Sequence, residues 1–286
     1  MNDIAPFSRV LRPLTVVALS GLIAGCSWFS WIPGVGDGKE DEESLEPAKL
    51  VKFTPELDIN REWKANVGDG LGKKYLRISP RVVADRIIAA DAYGIVAAFD
   101  RFSGKRVWQT QFDKVAGKGF SITGFLDRTD PSFVSGGLGT GEGLVLLGTT
   151  RGDVVALSVV DGSEQWRGNV GTEIGSVPVI DDERVFAQSI DGKLTALDSA
   201  SGEELWTYNS QVPRLTLRGT SSPVVVNDVV YTGFASGKVT ALRVENGEPI
   251  WEQRVMLPEG RSELERIVDV DASPLVTGSA IFAVAY

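Results

Sequence analysis

Asp191-Gly192-Lys193-Leu194-Thr195-Ala196-Leu197-Asp198, followed by Gly202 and Trp206, is the stretch on which the fold turns. A glycine just before an apolar run, here after Asp and in the other copies after Tyr, Arg or Ser, marks a tight hairpin needing positive φ. The arrangement returns three more times without gaps. The copies are Tyr93-Gly94-Ile95-Val96-Ala97-Ala98-Phe99-Asp100 through Gly104 to Trp108; Arg151-Gly152-Asp153-Val154-Val155-Ala156-Leu157 through Gly162 to Trp166; and Ser236-Gly237-Lys238-Val239-Thr240-Ala241-Leu242 through Gly247 to Trp251. In all four, the second glycine lies ten residues after the first and the tryptophan fourteen after it. Two offsets held fixed four times make a repeat.

The run between the glycines, as in Val154-Val155-Ala156-Leu157, is apolar at consecutive positions. Such a strand is covered on both faces. Ser103-Gly104, Asp161-Gly162, Ser201-Gly202 and Asn246-Gly247 are again hairpin chemistry. The tryptophan belongs to the next strand and offers a large apolar surface to a neighbouring repeat. Upstream lies a further hairpin, clearest in Val179-Ile180-Asp181-Asp182-Glu183-Arg184-Val185-Phe186. Pro80, Pro178 and Pro223 stand fourteen residues before their first glycines, and first glycines recur at intervals of 58, 40 and 45 residues. Four short strands per unit of that length predict the blade of a β-propeller. The long interval is expected to hold a glycine-rich loop between Gln111 and Gly143, with Gly117, Gly119, Gly124, Gly136, Gly137, Gly139 and Gly141. Pro274 opens a fifth unit whose first glycine would fall past Tyr286. The expectation is therefore an all-β partial propeller over residues 53–286, with four repeats and an incomplete fifth, truncated before ring closure.

Composition excludes several chemistries. There is no histidine and one cysteine, Cys26, so a histidine-based triad, a His/Cys metal site and an internal disulfide are all unavailable. The formal net charge of -9 argues against a nucleic-acid partner. Residues 1–25 read as an address: Arg9 and Arg12 precede an apolar run from Leu14 to Ile23, too short to span a bilayer. Ile23-Ala24-Gly25-Cys26 resembles the lipobox of bacterial lipoproteins. That resemblance implies lipidation of the Cys26 thiol and cleavage that leaves Cys26 as the new N-terminus, its several acyl chains (palmitate among them) anchoring it in lipid. Ser27 stands where an aspartate would retain a lipoprotein at the inner membrane, which favours the outer membrane and its periplasmic face. Residues 26–52 are expected to form a flexible tether, acidic through Asp37, Glu40, Asp41, Glu42, Glu43 and Glu46.

Gly192, Ala196-Leu197-Asp198, Ser201-Gly202 and Trp206 resemble the PQQ-like repeat, a WD40-like blade first known from quinoprotein enzymes. Those enzymes stack their quinone on a vicinal disulfide and hold calcium; this chain lacks vicinal cysteines, so neither cofactor, metal nor catalytic residue is expected. Two further stretches are similar to the BamB lipoproteins of the outer-membrane β-barrel assembly (BAM) complex. One is Pro213-Arg214-Leu215-Thr216-Leu217-Arg218-Gly219 and the other Val268-Asp269-Val270-Asp271-Ala272-Ser273-Pro274, each just before the proline of its unit. The resemblance implies a non-enzymatic periplasmic adaptor that binds BamA, the insertase, through Leu215, Leu217, Arg218, Asp269 and Asp271. It would assist outer-membrane proteins, with unfolded clients as further partners. Read from the residues alone, the two leucines could instead pack inward, with Arg218 paired to Asp269 or Asp271. The rival functions are a PQQ-dependent dehydrogenase and a periplasmic propeller that binds a small ligand.

Overall fold

Four consecutive side chains without charge, apolar except for Thr195 and Thr240, leave a strand no solvent face, and the run after each first glycine becomes the third strand of a four-stranded sheet, buried along nearly its whole length. The computed structural model describes residues 51, 54, 56–71, 76, 78–112, 133–218 and 220–286. The expected leader, Cys26 and nearly all of the expected tether lie outside the described residues. Blade 1 holds β1 (Arg81–Val83), β2 (Arg86–Ala90), β3 (Ile95–Asp100) and β4 (Arg106–Gln111). Blade 2 holds β5 (Val134–Gly141), β6 (Leu144–Thr149), β7 (Asp153–Ser158) and β8 (Glu164–Asn169). Blade 3 holds β9 (Val179–Asp181), β10 (Arg184–Gln188), β11 (Lys193–Asp198) and β12 (Glu204–Asn209). Blade 4 holds β13 (Val224–Val226), β14 (Val229–Phe234), β15 (Lys238–Arg243) and β16 (Pro249–Arg254), and a hairpin of β17 (Leu275–Thr277) and β18 (Ala280–Phe282) follows. Each blade is an antiparallel meander in chain order. No helix among the described residues is long and apolar enough to cross a membrane.

The core lies between blades. Val96, Ala98 and Trp108 of blade 1 pack with Val134, Leu147 and Val155 of blade 2, and matching clusters join blade 2 to 3 and blade 3 to 4. The first strands stand side by side, β5 beside both β1 and β9. At the outer side, each repeat tryptophan faces an alanine across its strand pair: Ala98 with Trp108, Ala156 with Trp166, Ala196 with Trp206 and Ala241 with Trp251. A register shift follows each of these pairs.

The second glycine is explained by the neighbouring blade. Gly202 has φ +74°, and a Cβ there would lie 2.4 Å from Cε3 of Trp166 in the preceding blade. Gly162 sits on Trp108 and Gly247 on Trp206 in the same manner. Each indole Nε1 also donates to a backbone carbonyl of the blade it touches: Trp108 to Val159 at 2.9 Å, Trp166 to Ser199 at 2.7 Å and Trp206 to Val244 at 2.9 Å. The repeat is therefore a staple between blades. Trp63, outside the four repeats, completes the series: it lies on Gly104 and donates to the Arg101 carbonyl at 2.9 Å.

The expected loop between Gln111 and Gly143 needs correction. Its second half, Gly136 to Gly141, lies in β5; residues 113–132, with Gly117, Gly119 and Gly124, lie outside the described residues. The glycines answer to crowding rather than to flexibility. A Cβ on Gly139 would lie 1.9 Å from the Pro178 carbonyl oxygen, and one on Gly136 2.3 Å from that of Ser176. Backbone from the next blade occupies the space a side chain would need.

Candidate functional site

The connections from the last strand of one blade to the first strand of the next lie at the opposite end from the staples, because antiparallel strands alternate direction. Residues 210–223 form the connection between β12 and β13, and residues 255–274 that between β16 and β17. The first contains Leu215, Leu217 and Arg218; the second contains Asp269 and Asp271. Both are thus brought to one end of adjacent blades.

Leu215 is 41% exposed and Leu217 45%. The inward packing that the residues alone allowed is therefore not the arrangement found. Arg218 adopts φ +57°, a left-handed conformation uncommon outside glycine, which bends the chain into a hook. Its Nη2 meets Glu173 Oε2 at 2.5 Å. Glu173 lies in the equivalent connection of the preceding blade, between β8 and β9. On the other side, the Leu217 amide donates to Asp269 Oδ2 at 2.7 Å. Supports from both neighbouring connections thus hold the hook while its two leucines face solvent.

Asp269 is 1% exposed, so it lies beneath the hook and not on its surface. Burial pushes its carboxyl up to about 6; the Leu217 amide acts in the opposite direction and the Asp271 charge adds to the rise. Oδ1 of Asp269 has no hydrogen-bond partner among the described residues. Asp271 is partly buried and lines a cleft with Arg81, Ser135, Thr220 and Ser222. Glu173 was not among the expected site residues. Its signal is positional: Glu173, Arg218 and Asp269 each stand five residues before the proline of their unit, Pro178, Pro223 and Pro274. No group of three or more acidic, histidine or cysteine side chains suited to a metal occurs among the described residues.

The sequence model described as "Outer membrane protein assembly factor BamB" matches residues 63–286. A protein of that name from Xanthomonas campestris pv. campestris is 37% identical, aligned over all of this chain and 68% of its own length. The Yersinia pestis protein of that name is 32% identical over 96% of this chain and 67% of its own. A third, from Shewanella oneidensis, is 33% identical and 65% covered, so the chain spans about two thirds of the length of these relatives. The crystal structure of BamB from Moraxella catarrhalis superposes with a TM-score of 0.64 at 26% identity, covering 73% of this chain and 58% of that one. With the blades, the staples and a match that runs from Trp63 to the last residue, the chain belongs to the BamB family of outer membrane protein assembly factors.

Proposed function

We propose that this chain is a non-enzymatic assembly factor of the BAM complex, a lipid-anchored adaptor at the periplasmic face of the outer membrane that docks on BamA. The observation that carries the reading is the braced hook. Two exposed leucines beside an arginine, fixed from both sides, form the kind of small pre-ordered apolar anchor that concentrates binding energy. An anchor of that kind needs no bond chemistry, and the family's name is that of an assembly factor rather than an enzyme. Docking would orient BamA, and the outer edge of a blade offers a client strand a place to pair. The acylated Cys26 would hold the adaptor in the outer-membrane lipid.

The test is capture of BamA from detergent-solubilised membranes by the full-length protein and by the combined Leu215→Ala, Leu217→Ala, Arg218→Ala variant. All three side chains are exposed, so the variant is expected to keep its thermal midpoint. Capture is expected to fall by about tenfold or more. Equal capture by both proteins would remove the hook from the reading. Absence of BamA with either would remove the adaptor reading itself.

A further inference from the structure

Next to the hook, segment 209–215 and the start of β15 and end of β16 enclose a groove of about 620 Å³, closed on its far side by Pro258, Glu263, Arg266 and Val268. Its lining is cationic in a chain whose net charge is -9: Arg214, Lys238, Arg254 and Arg266 face Glu252 and Glu263. Lys238 is committed to Glu252 at 2.7 Å, and the Tyr208 hydroxyl donates to the same carboxylate. Arg214, Arg254 and Arg266 remain, and none forms an ion pair among the described residues. Arg254 donates to the Ser236 carbonyl at 3.2 Å, which leaves its other N–H groups available.

We propose that this groove binds an extended acidic segment of a partner polypeptide. Its carboxylates would pair with Arg214, Arg254 and Arg266. Guanidinium forks match carboxylates in two-point geometry; Arg214 and Arg266 form no ion pair among the described residues, and Arg254 only adds its field to the Glu252 carboxylate that Lys238 already pairs, so the cluster calls for negative charge from outside. The concave shape favours a chain segment over a flat anionic bilayer, which a chain of net charge -9 disfavours as a whole. The volume lies in the range of roughly 300–1,000 Å³ found for ligand sites. The groove touches the hook only at Leu215, so the inference does not depend on the BamA reading.

The full-length protein is titrated against a short fluorescein-labelled peptide of alternating Glu and Leu, with its Lys-Leu counterpart as control, by fluorescence anisotropy. The Glu peptide is expected to bind, the Lys peptide not, and binding is expected to weaken as salt rises, because the pairs are solvent-facing. Arg214→Glu with Arg266→Glu is expected to lower affinity at least about tenfold. Lysine at the same two positions should restore much of it. Both arginines are exposed, so unchanged thermal midpoints are expected for these variants. Leu217→Ala should leave peptide affinity unchanged; an equal loss there would move the site to the hook and overturn the proposal. It also fails if the double Glu variant binds as wild type does. It fails equally if the peptide is ignored while anionic phospholipid vesicles retain the wild type and not the variant.

Discussion

Trp166→Ala is expected to destabilise the propeller by about 3–5 kcal/mol, the usual cost of deleting a buried aromatic. The indole fills the seam between blades 2 and 3, where it packs with Ile174, Val185 and Leu197. Truncation opens a cavity in that seam and leaves the Ser199 carbonyl without its donor. Gly202→Val attacks the same contact from the other side. It places a branched side chain at φ +74° and into the indole, for about 3 kcal/mol. The two effects should not add, because each breaks the same staple; combining them should cost clearly less than their sum. Urea melts of the two single variants and the double variant measure this. Leu205→Ala is the internal control. Leu205 is 47% exposed on β12, so its loss should cost about 1 kcal/mol or less. Strict additivity of Trp166→Ala and Gly202→Val would mean that the tryptophan and glycine act separately, and the staple would not be the unit of blade cohesion.

That staple shows what a sequence displays and what it hides. Glycine and tryptophan recur at fixed offsets because each answers to the other, and the register of the alignment carries the contact. Trp63 is one such case: it precedes Gly104 by 41 residues, as Trp206 precedes Gly247. It was missed because the segment bearing it is not preceded by its own glycine repeat. β5 was missed for the reverse reason. Its glycines look like a loop, yet they are imposed by the Pro178 and Ser176 carbonyls of the next blade, and no local pattern records a neighbour's backbone. At the hook, the prolines give the spacing that brings Glu173, Arg218 and Asp269 to equivalent places. Exposure is not written there. The charge of Asp269 suggests a surface contact, whereas the structure makes it a buried support.

Asp269→Asn is expected to raise the stability of the protein at pH 8 by about 3 kcal/mol, roughly 6–12 °C in thermal midpoint for a unit of this size. The sign follows from the carboxyl's rise from the usual range to about 6 in the folded protein. In the unfolded chain the group ionises near pH 4, while in the fold it holds its proton until about 6. Between those values the folded state binds more protons, so stability falls as pH rises. Above about pH 6 the penalty is fully present; below pH 4 it is absent. An amide carries no such charge, so the gain of the variant should vanish when both proteins are melted near pH 4. An amide oxygen still accepts from the Leu217 N–H, so the hook should stay in place and BamA capture should persist. Asp269→Ala removes the acceptor as well, and here capture should fall although the hook's own side chains are untouched. A buried charge that lowers stability while fixing a loop is the pattern of a site kept for function. If the Asn variant is less stable at both pH values, the ionised carboxylate is compensated and no penalty exists. If the Ala variant captures BamA as wild type does, the Leu217 contact plays no part in docking.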